Sequence, residues 1–145
     1  MTGEYGMKRQ QAREEAFLML CESGFDAERT AAEIYETATA ARGVEEDDFT
    51  KACLEGVIAH REEIDSIIEK HASGWKRSRL SVVTAAVLQL ATYEMVYRED
   101  IPVNVSLNEA IELSKKYDDE KARAFVNGVL NAISTAAKQE KRDAE

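Results

Sequence analysis

The 145-residue chain contains little proline, glycine or cysteine: one proline (Pro102), seven glycines and two cysteines. Proline and glycine are the residues that most destabilise a helix interior, so their scarcity favours long helices. Cys21 and Cys53 are too few and too far apart for a disulfide framework, and we interpret both as small buried hydrophobes. The sequence also lacks a Gly-rich phosphate loop, HExxH, CxxC and a nucleophile elbow. We therefore predict no catalytic residue, no metal site and no cofactor.

Long apolar runs and positive charge are also scarce. No run reaches the length of a membrane-spanning helix, and the N-terminal MTGEYGMKRQQ has no apolar signal-peptide core, so we expect a cytoplasmic protein without membrane contact. The formal net charge of −9 argues against unspecific coating of nucleic acid but permits a local basic contact. The length and the 44% hydrophobic content predict one globular domain over residues 1–145, with flexible tails at 1–6 and 138–145.

The most apolar segment of the chain runs from Val82 to Tyr97, with four polar residues in it. As a helix it would be ~24 Å long, and because it is apolar on nearly all sides we predict a buried central helix surrounded by others. One of the polar residues is Glu94. No nucleophile, metal motif or second carboxylate accompanies it, so we interpret it as a structural hydrogen-bond acceptor. Pro102 then separates this helix from the next.

Apolar residues at helical spacing predict further helices on both sides of this segment, and no sheet. Before it we predict helices at about Met7–Cys21, Ala27–Arg42 (capped by Asp26) and Phe49–His71. Two more follow Pro102, and Gly128 lies within the apolar stripe of the last one. Because a glycine there costs ~1 kcal/mol relative to alanine, we predict the close approach of a neighbouring helix at Gly128.

Lys8, Arg9 and Arg13, the N-terminal cluster, lie at the start of the first predicted helix. Positive charge there opposes the helix dipole, so the cluster is not explained by helix stability. It fits a contact with RNA phosphates, but three basic residues are also common on a solvated helix face, which sequence physics alone favours. A second basic segment, 76–79, lies in the connector beside Trp75, and we interpret it as loop solvation.

Five segments of the chain form a recognisable set: KRQQAREEAFLML, the stretch from Trp75 to Leu80, LATYEM, IPVNVSLNEAIELSKKY and FVNGVL. Together they resemble the NusB family of bacterial transcription antitermination factors. The pairing of NEAIEL with FVNGVL is the specific part of a resemblance that covers nearly the whole chain. It implies an all-helical fold of two small packed sub-bundles with about six to seven helices. It also implies a non-enzymatic role: binding boxA-type single-stranded RNA with the ribosomal protein NusE, in the RNA polymerase antitermination complex on rRNA operons.

The resemblance also implies which residues touch RNA: the N-terminal cluster and the start of the FVNG helix. These residues are Lys8, Arg9, Arg13, Lys121, Arg123 and Phe125. By its spacing Phe125 also belongs to the core stripe, so stacking on a base and packing in the core are both open interpretations. The resemblance further implies NusE contacts at Cys21 and Thr84. Relatives often carry a tyrosine and an acidic residue at those positions, and an arginine at the position of Gln89.

Two alternative functions remain. One is a NusB-like protein-interaction scaffold with little RNA binding, suggested by Gln10 and Gln11, which stand where many relatives carry Arg or Lys. The other is a relative of the N-terminal domain of rRNA cytosine methyltransferases. Against the latter, the 145 residues leave no room for a cofactor-binding Rossmann half.

Overall fold

The computed structural model describes residues 8–72 and 80–144. Within these ranges the chain forms seven α-helices and no strand, which confirms the predicted all-α class. The helices are α1 (Arg9–Phe25), α2 (Ala31–Ala41), α3 (Asp48–Ala59), α4 (Arg61–His71), α5 (Val82–Tyr97), α6 (Val103–Tyr117) and α7 (Glu120–Ala144). None of the described helices combines the length and apolarity needed to cross a membrane. The basic connector at 76–79 lies outside the described residues.

The helices belong to two compact units, the first holding α1 to α3 and the second α4 to α7. In the first unit α1 packs mainly on α3, and the fully buried side chains include Phe17, Leu20 and Leu54. The Thr50 hydroxyl of α3 donates a hydrogen bond to the Ala12 carbonyl of α1 at 2.8 Å. This bond satisfies a buried polar group and fixes the two helices against each other.

The start of α2 differs from the sequence prediction. The helix begins at Ala31 with Thr30 as its N-cap, instead of at Ala27 with Asp26. Thr30 accepts a hydrogen bond from the Glu33 N–H, and the Glu33 carboxylate accepts one from the Thr30 N–H. Such a reciprocal capping box satisfies two backbone donors at once, whereas Asp26 as a cap would satisfy one. The end of α2 is as predicted, because Gly43 follows it with a φ of +70°, a conformation that glycine adopts readily.

The single predicted helix from Phe49 to His71 is two helices, broken at His60. The backbone of His60 leaves the helical region at φ −110° and ψ 20°. Its ring stacks on Tyr97, with the ring centroids 4.5 Å apart, and the Tyr97 hydroxyl donates a hydrogen bond to Glu63. The apolar spacing runs unbroken through His60, so periodicity alone could not reveal this break.

In the second unit α5 is the central helix, as predicted, and every residue from Thr84 to Met95 is buried. It packs against α4, α6 and α7. Two of its buried polar side chains have partners on those neighbours: Ser106 donates to Glu94 at 3.1 Å, and Gln89 donates to Asp65 at 2.9 Å. The interpretation of Glu94 as a structural hydrogen-bond acceptor is therefore confirmed.

Helix α7 differs from the sequence analysis at two places. Gly128 is exposed, and apart from its chain neighbours and the backbone of its own helix no described atom lies within 4 Å of the position a Cβ would take. The predicted close approach of a neighbouring helix is therefore wrong. The helix also continues to Ala144, where the sequence analysis expected a polar tail from residue 138. The last turns are rich in helix-forming Lys, Gln, Glu and Ala, and Lys141 and Arg142 lie where positive charge favours the helix dipole.

Candidate nucleic-acid interface

The N-terminal cluster contains two exposed cations and one buried cation. Lys8 is the N-cap of α1, and both Lys8 and Arg9 are exposed. The guanidinium carbon of Arg9 lies 4.1 Å from the ring centre of Phe49, at the start of α3. A guanidinium over an aromatic face is held by a cation–π interaction, which fixes the position of this charge at the protein surface.

Arg13 differs from Arg9, because the residue is only 3% exposed and its guanidinium carbon lies 5.3 Å from the same Phe49 ring. The sequence carried a signal for this burial: Arg13 precedes Ala16 and Phe17 by three and four positions, which places it on the apolar face of α1. Sequence reasoning missed Phe49 as a site residue, since a phenylalanine in the first turn of a helix reads as ordinary core.

The second candidate site is a surface pocket at the start of α7, which we call the α7 pocket. Its volume is about 410 Å³. It is lined by Leu80, Ser81, Thr84, Asp118, Asp119, Lys121, Ala122 and Phe125. Of the predicted RNA-contacting residues in α7, Lys121 is exposed and Phe125 is half-buried, so the Phe125 ring belongs to the pocket wall as well as to the apolar stripe. Arg123 is half-buried and does not line the pocket.

A chain of hydroxyl hydrogen bonds closes one side of the α7 pocket. Ser81 caps α5 by accepting from the Thr84 N–H at 3.0 Å, and its own hydroxyl donates to the Thr84 hydroxyl oxygen at 3.0 Å. The Thr84 hydroxyl in turn points at the Asp118 carboxylate, 2.9 Å from the nearer oxygen. Burial raises the pKa of the Asp118 carboxyl, although the bond from Thr84 acts in the opposite direction. Sequence reasoning missed Asp118, which lies 34 residues from Thr84 and reads as a loop residue.

The two predicted partner-contacting positions lie in different units. Cys21 is half-buried on α1 and makes a contact within the protein. Thr84 is 3% exposed, so only a small part of it reaches the pocket, and its hydroxyl is hydrogen-bonded to Ser81 and Asp118. Two carboxylates line the pocket, those of Asp118 and Asp119, and Asp118 is the one that Thr84 bonds to.

Among residues 8–72 and 80–144, no three His, Cys, Asp or Glu side chains are grouped so that they could hold a metal ion. Four acidic residues, 45–48, lie at the start of α3, and one of them has a structural role. Asp47 accepts a hydrogen bond from the Thr50 N–H at 3.0 Å and so caps the helix.

Comparison with known proteins gives concordant results for sequence and fold. The model of the NusB family matches residues 10–135. The transcription antitermination protein NusB of Bacillus subtilis (strain 168) is 44% identical over 134 residues, which are 92% of this chain and 99% of that protein.

Two solved structures share the fold. One, of T. maritima NusB, has a TM-score of 0.79 at 31% identity and covers 94% of this chain and 98% of its own. The other contains the antitermination factors NusB and NusE in complex with dsRNA; it has a TM-score of 0.78 at 34% identity and covers 88% of this chain and 96% of its own. The similarity thus extends over nearly the full length of every chain compared.

Proposed function

Because the chain belongs to the NusB family, we propose that it is a non-catalytic transcription antitermination factor that binds boxA-type single-stranded RNA together with the ribosomal protein NusE. The relative in complex with NusE and dsRNA supports NusE and RNA as partners. The observation that carries the proposal here is the surface charge of Arg9, held over Phe49 beside the exposed Lys8. A positively charged group fixed in place can bind a phosphate with little loss of side-chain entropy.

The two candidate sites have different roles in this mechanism. Lys8 and Arg9 contact phosphates, which positions the RNA without reading its sequence. The α7 pocket reads bases: an unstacked base packs on Phe125, and Lys121 holds the adjoining phosphate. A base can stack on Phe125 only when it is splayed out, and this is why the proposal names single-stranded RNA rather than a duplex.

NusE is needed because the protein's own charge is a poor match for RNA. With a formal net charge of −9, the molecule as a whole repels phosphate, and only a few local cations attract it. A second protein bound to the same RNA adds contact surface, and linking the two binding events raises the effective concentration of each.

The test compares two variants that change the net charge equally. Lys8→Gln/Arg9→Gln removes the exposed charges of the N-terminal cluster, and Lys51→Gln/Lys70→Gln removes two exposed lysines elsewhere. With about −0.7 per phosphate contact on single strands, the first variant should flatten the plot of log K against log salt by about 1.4. All RNAs should weaken by a similar factor, and the helical CD signal should stay unchanged.

A third variant, Phe125→Leu, should narrow the difference in affinity between boxA-type and unrelated RNA, since stacking is worth ~1–3 kcal/mol per base. If Lys8→Gln/Arg9→Gln binds boxA-type RNA as well as wild type in the presence of NusE, the N-terminal cluster is not the RNA site.

The burial of Arg13 favours one competing function, the protein-interaction scaffold, since it leaves two exposed cations in the N-terminal cluster. A pure scaffold would bind NusE with the same affinity in the presence and absence of RNA. If boxA-type RNA raises the affinity between the two proteins, the scaffold function is excluded.

A further inference from the structure

A second groove lies at the other end of α7, about 580 Å³ in volume, and we call it the cationic groove. One wall is the last turns of α7, which contribute Lys138, Lys141 and Arg142. The other wall is the turn between α5 and α6 with the start of α6. It consists of Glu99, Asp100, Ile101, Pro102, Val103 and Asn104.

The three cations stand on one face of α7, because spacings of three and four residues bring side chains together on a helix. Within the described part of the chain, none of the three side chains takes part in an ion pair or a hydrogen bond. The groove also contains two carboxylates, but that of Asp100 is held by the Arg98 guanidinium through bonds of 2.9 and 2.8 Å. On a molecule with a formal net charge of −9, the groove is therefore a local excess of positive charge.

Two of the three apolar residues of the groove are already buried by the protein itself: Ile101 is 3% exposed and Val103 is 6% exposed. The third, Pro102, is exposed, but its small ring is not one of the large aromatic or arginine side chains that anchor protein interfaces. Protein interfaces take most of their binding energy from such buried anchors. A groove that offers charged groups without an anchor instead suits a ligand that binds through repeated negative charges, and phosphates in a chain are such a ligand.

We propose that the cationic groove binds the phosphodiester backbone of single-stranded RNA that extends beyond the segment held at Phe125; this rests on the function proposed above. Phe125 and Lys141 lie on the same helix, sixteen residues and so ~24 Å apart along its axis, and they leave the helix on nearly opposite sides. At 3.4 Å per stacked nucleotide, roughly seven nucleotides is therefore the shortest RNA that could reach both sites. A short boxA-type core therefore occupies the α7 pocket alone, whereas a longer RNA reaches the groove as well.

The test combines a groove variant with RNAs of two lengths. Lys138→Gln/Lys141→Gln/Arg142→Gln removes the three charges, and Lys51→Gln/Lys70→Gln/Lys115→Gln is the control with the same net charge. Binding is measured by fluorescence anisotropy over a series of salt concentrations. The RNAs are a boxA-type core and the same core extended by about ten nucleotides on its 5′ or 3′ side, a length chosen from the spacing above.

For one of the extended RNAs, the groove variant should flatten the plot of log K against log salt by about 2, three contacts at 0.7 each. For the core RNA, the groove variant should give the same slope as the control variant. An equal slope for the groove variant and the control on both extended RNAs would overturn the proposal. So would a groove variant that loses NusE binding without RNA, because the groove would then be a protein surface. If instead wild type does not distinguish the boxA-type core from unrelated RNA, the proposed function fails, whatever the groove does.

Discussion

At Asp118 a carboxyl group is half-buried beside a hydroxyl donor. Burial raises its pKa, and the bond from Thr84 only partly offsets this. A carboxyl whose folded-state pKa is above its unfolded value stabilises the fold at low pH, and that contribution is lost as the pH rises through the folded pKa. Ionisation of Asp118 in the folded state therefore lowers the free energy of unfolding.

Asp118→Asn should therefore become more stable relative to wild type as the pH rises above about 3.8, the ordinary value for this carboxyl. Asparagine keeps an oxygen that accepts from Thr84 and removes the charge. Urea unfolding at a series of pH values measures the difference in the free energy of unfolding. A difference that does not change with pH would show that burial of Asp118 does not affect its ionisation.

Individual site residues were predictable from the sequence only where the evidence is local. The exposure of Lys8 and Arg9 fits a polar helix start, and the place of Arg13 on the apolar face follows from its spacing. The Arg9–Phe49 and Thr84–Asp118 contacts were not predictable, because their members are 40 and 34 residues apart and no local pattern links them.

At the level of the helix, Gly128 in α7 is the position where a substitution should stabilise the protein. The residue is exposed, the space beside it is open, and its φ is negative, so alanine fits without strain. Gly128→Ala should raise the free energy of unfolding by about 1 kcal/mol. Gly43→Ala is the contrasting change and should lower it, since Gly43 has a φ of +70°. A destabilising Gly128→Ala would contradict the open space beside this residue.

Helix α5 should respond to substitution as a core element. Leu90 is 1% exposed, and Leu90→Ala should cost about 2–5 kcal/mol in urea unfolding. Val105→Ala on α6, where the side chain is 43% exposed, should cost less than about 0.5 kcal/mol. A loss below 1 kcal/mol for Leu90→Ala would mean that α5 is not the centre of its unit.

The bounds of the helices show what a sequence pattern can and cannot predict. The bounds of α5 match the prediction from Val82 to Tyr97, because the Ser81 cap and Pro102 bracket one apolar run. The start of α2 was misplaced although Thr30 and Glu33 spell a capping box, since Asp26 offered a competing cap. The break at His60 coincides with the stacking of its ring on Tyr97, a contact between distant residues that only the tertiary structure brings together.

For the molecule as a whole, net charge sets how selectively RNA can bind. A formal charge of −9 repels any polyanion at long range, so an unrelated single-stranded RNA has only a few phosphate contacts to hold it. With two phosphate contacts at about 0.7 each, we expect the affinity for the unrelated RNA to fall roughly sevenfold between 50 and 200 mM salt. Base contacts, which salt weakens less, keep boxA-type RNA bound together with NusE. Equal retention of both RNAs in an electrophoretic mobility assay at 200 mM salt would contradict this.

The burial of α5 has a consequence for synthesis on the ribosome. Of the three helices that cover α5, only α4 precedes it, and residues 98–144 must still be made before α6 and α7 can close over it. At 5–20 residues per second, the apolar surface of α5 stays uncovered for roughly two to nine seconds in each round of translation. A ribosome-bound chain that ends at Tyr117, followed by an unstructured linker long enough to fill the exit tunnel, should therefore bind a chaperone that recognises apolar segments. The same chain extended through α7 before the linker should not bind it.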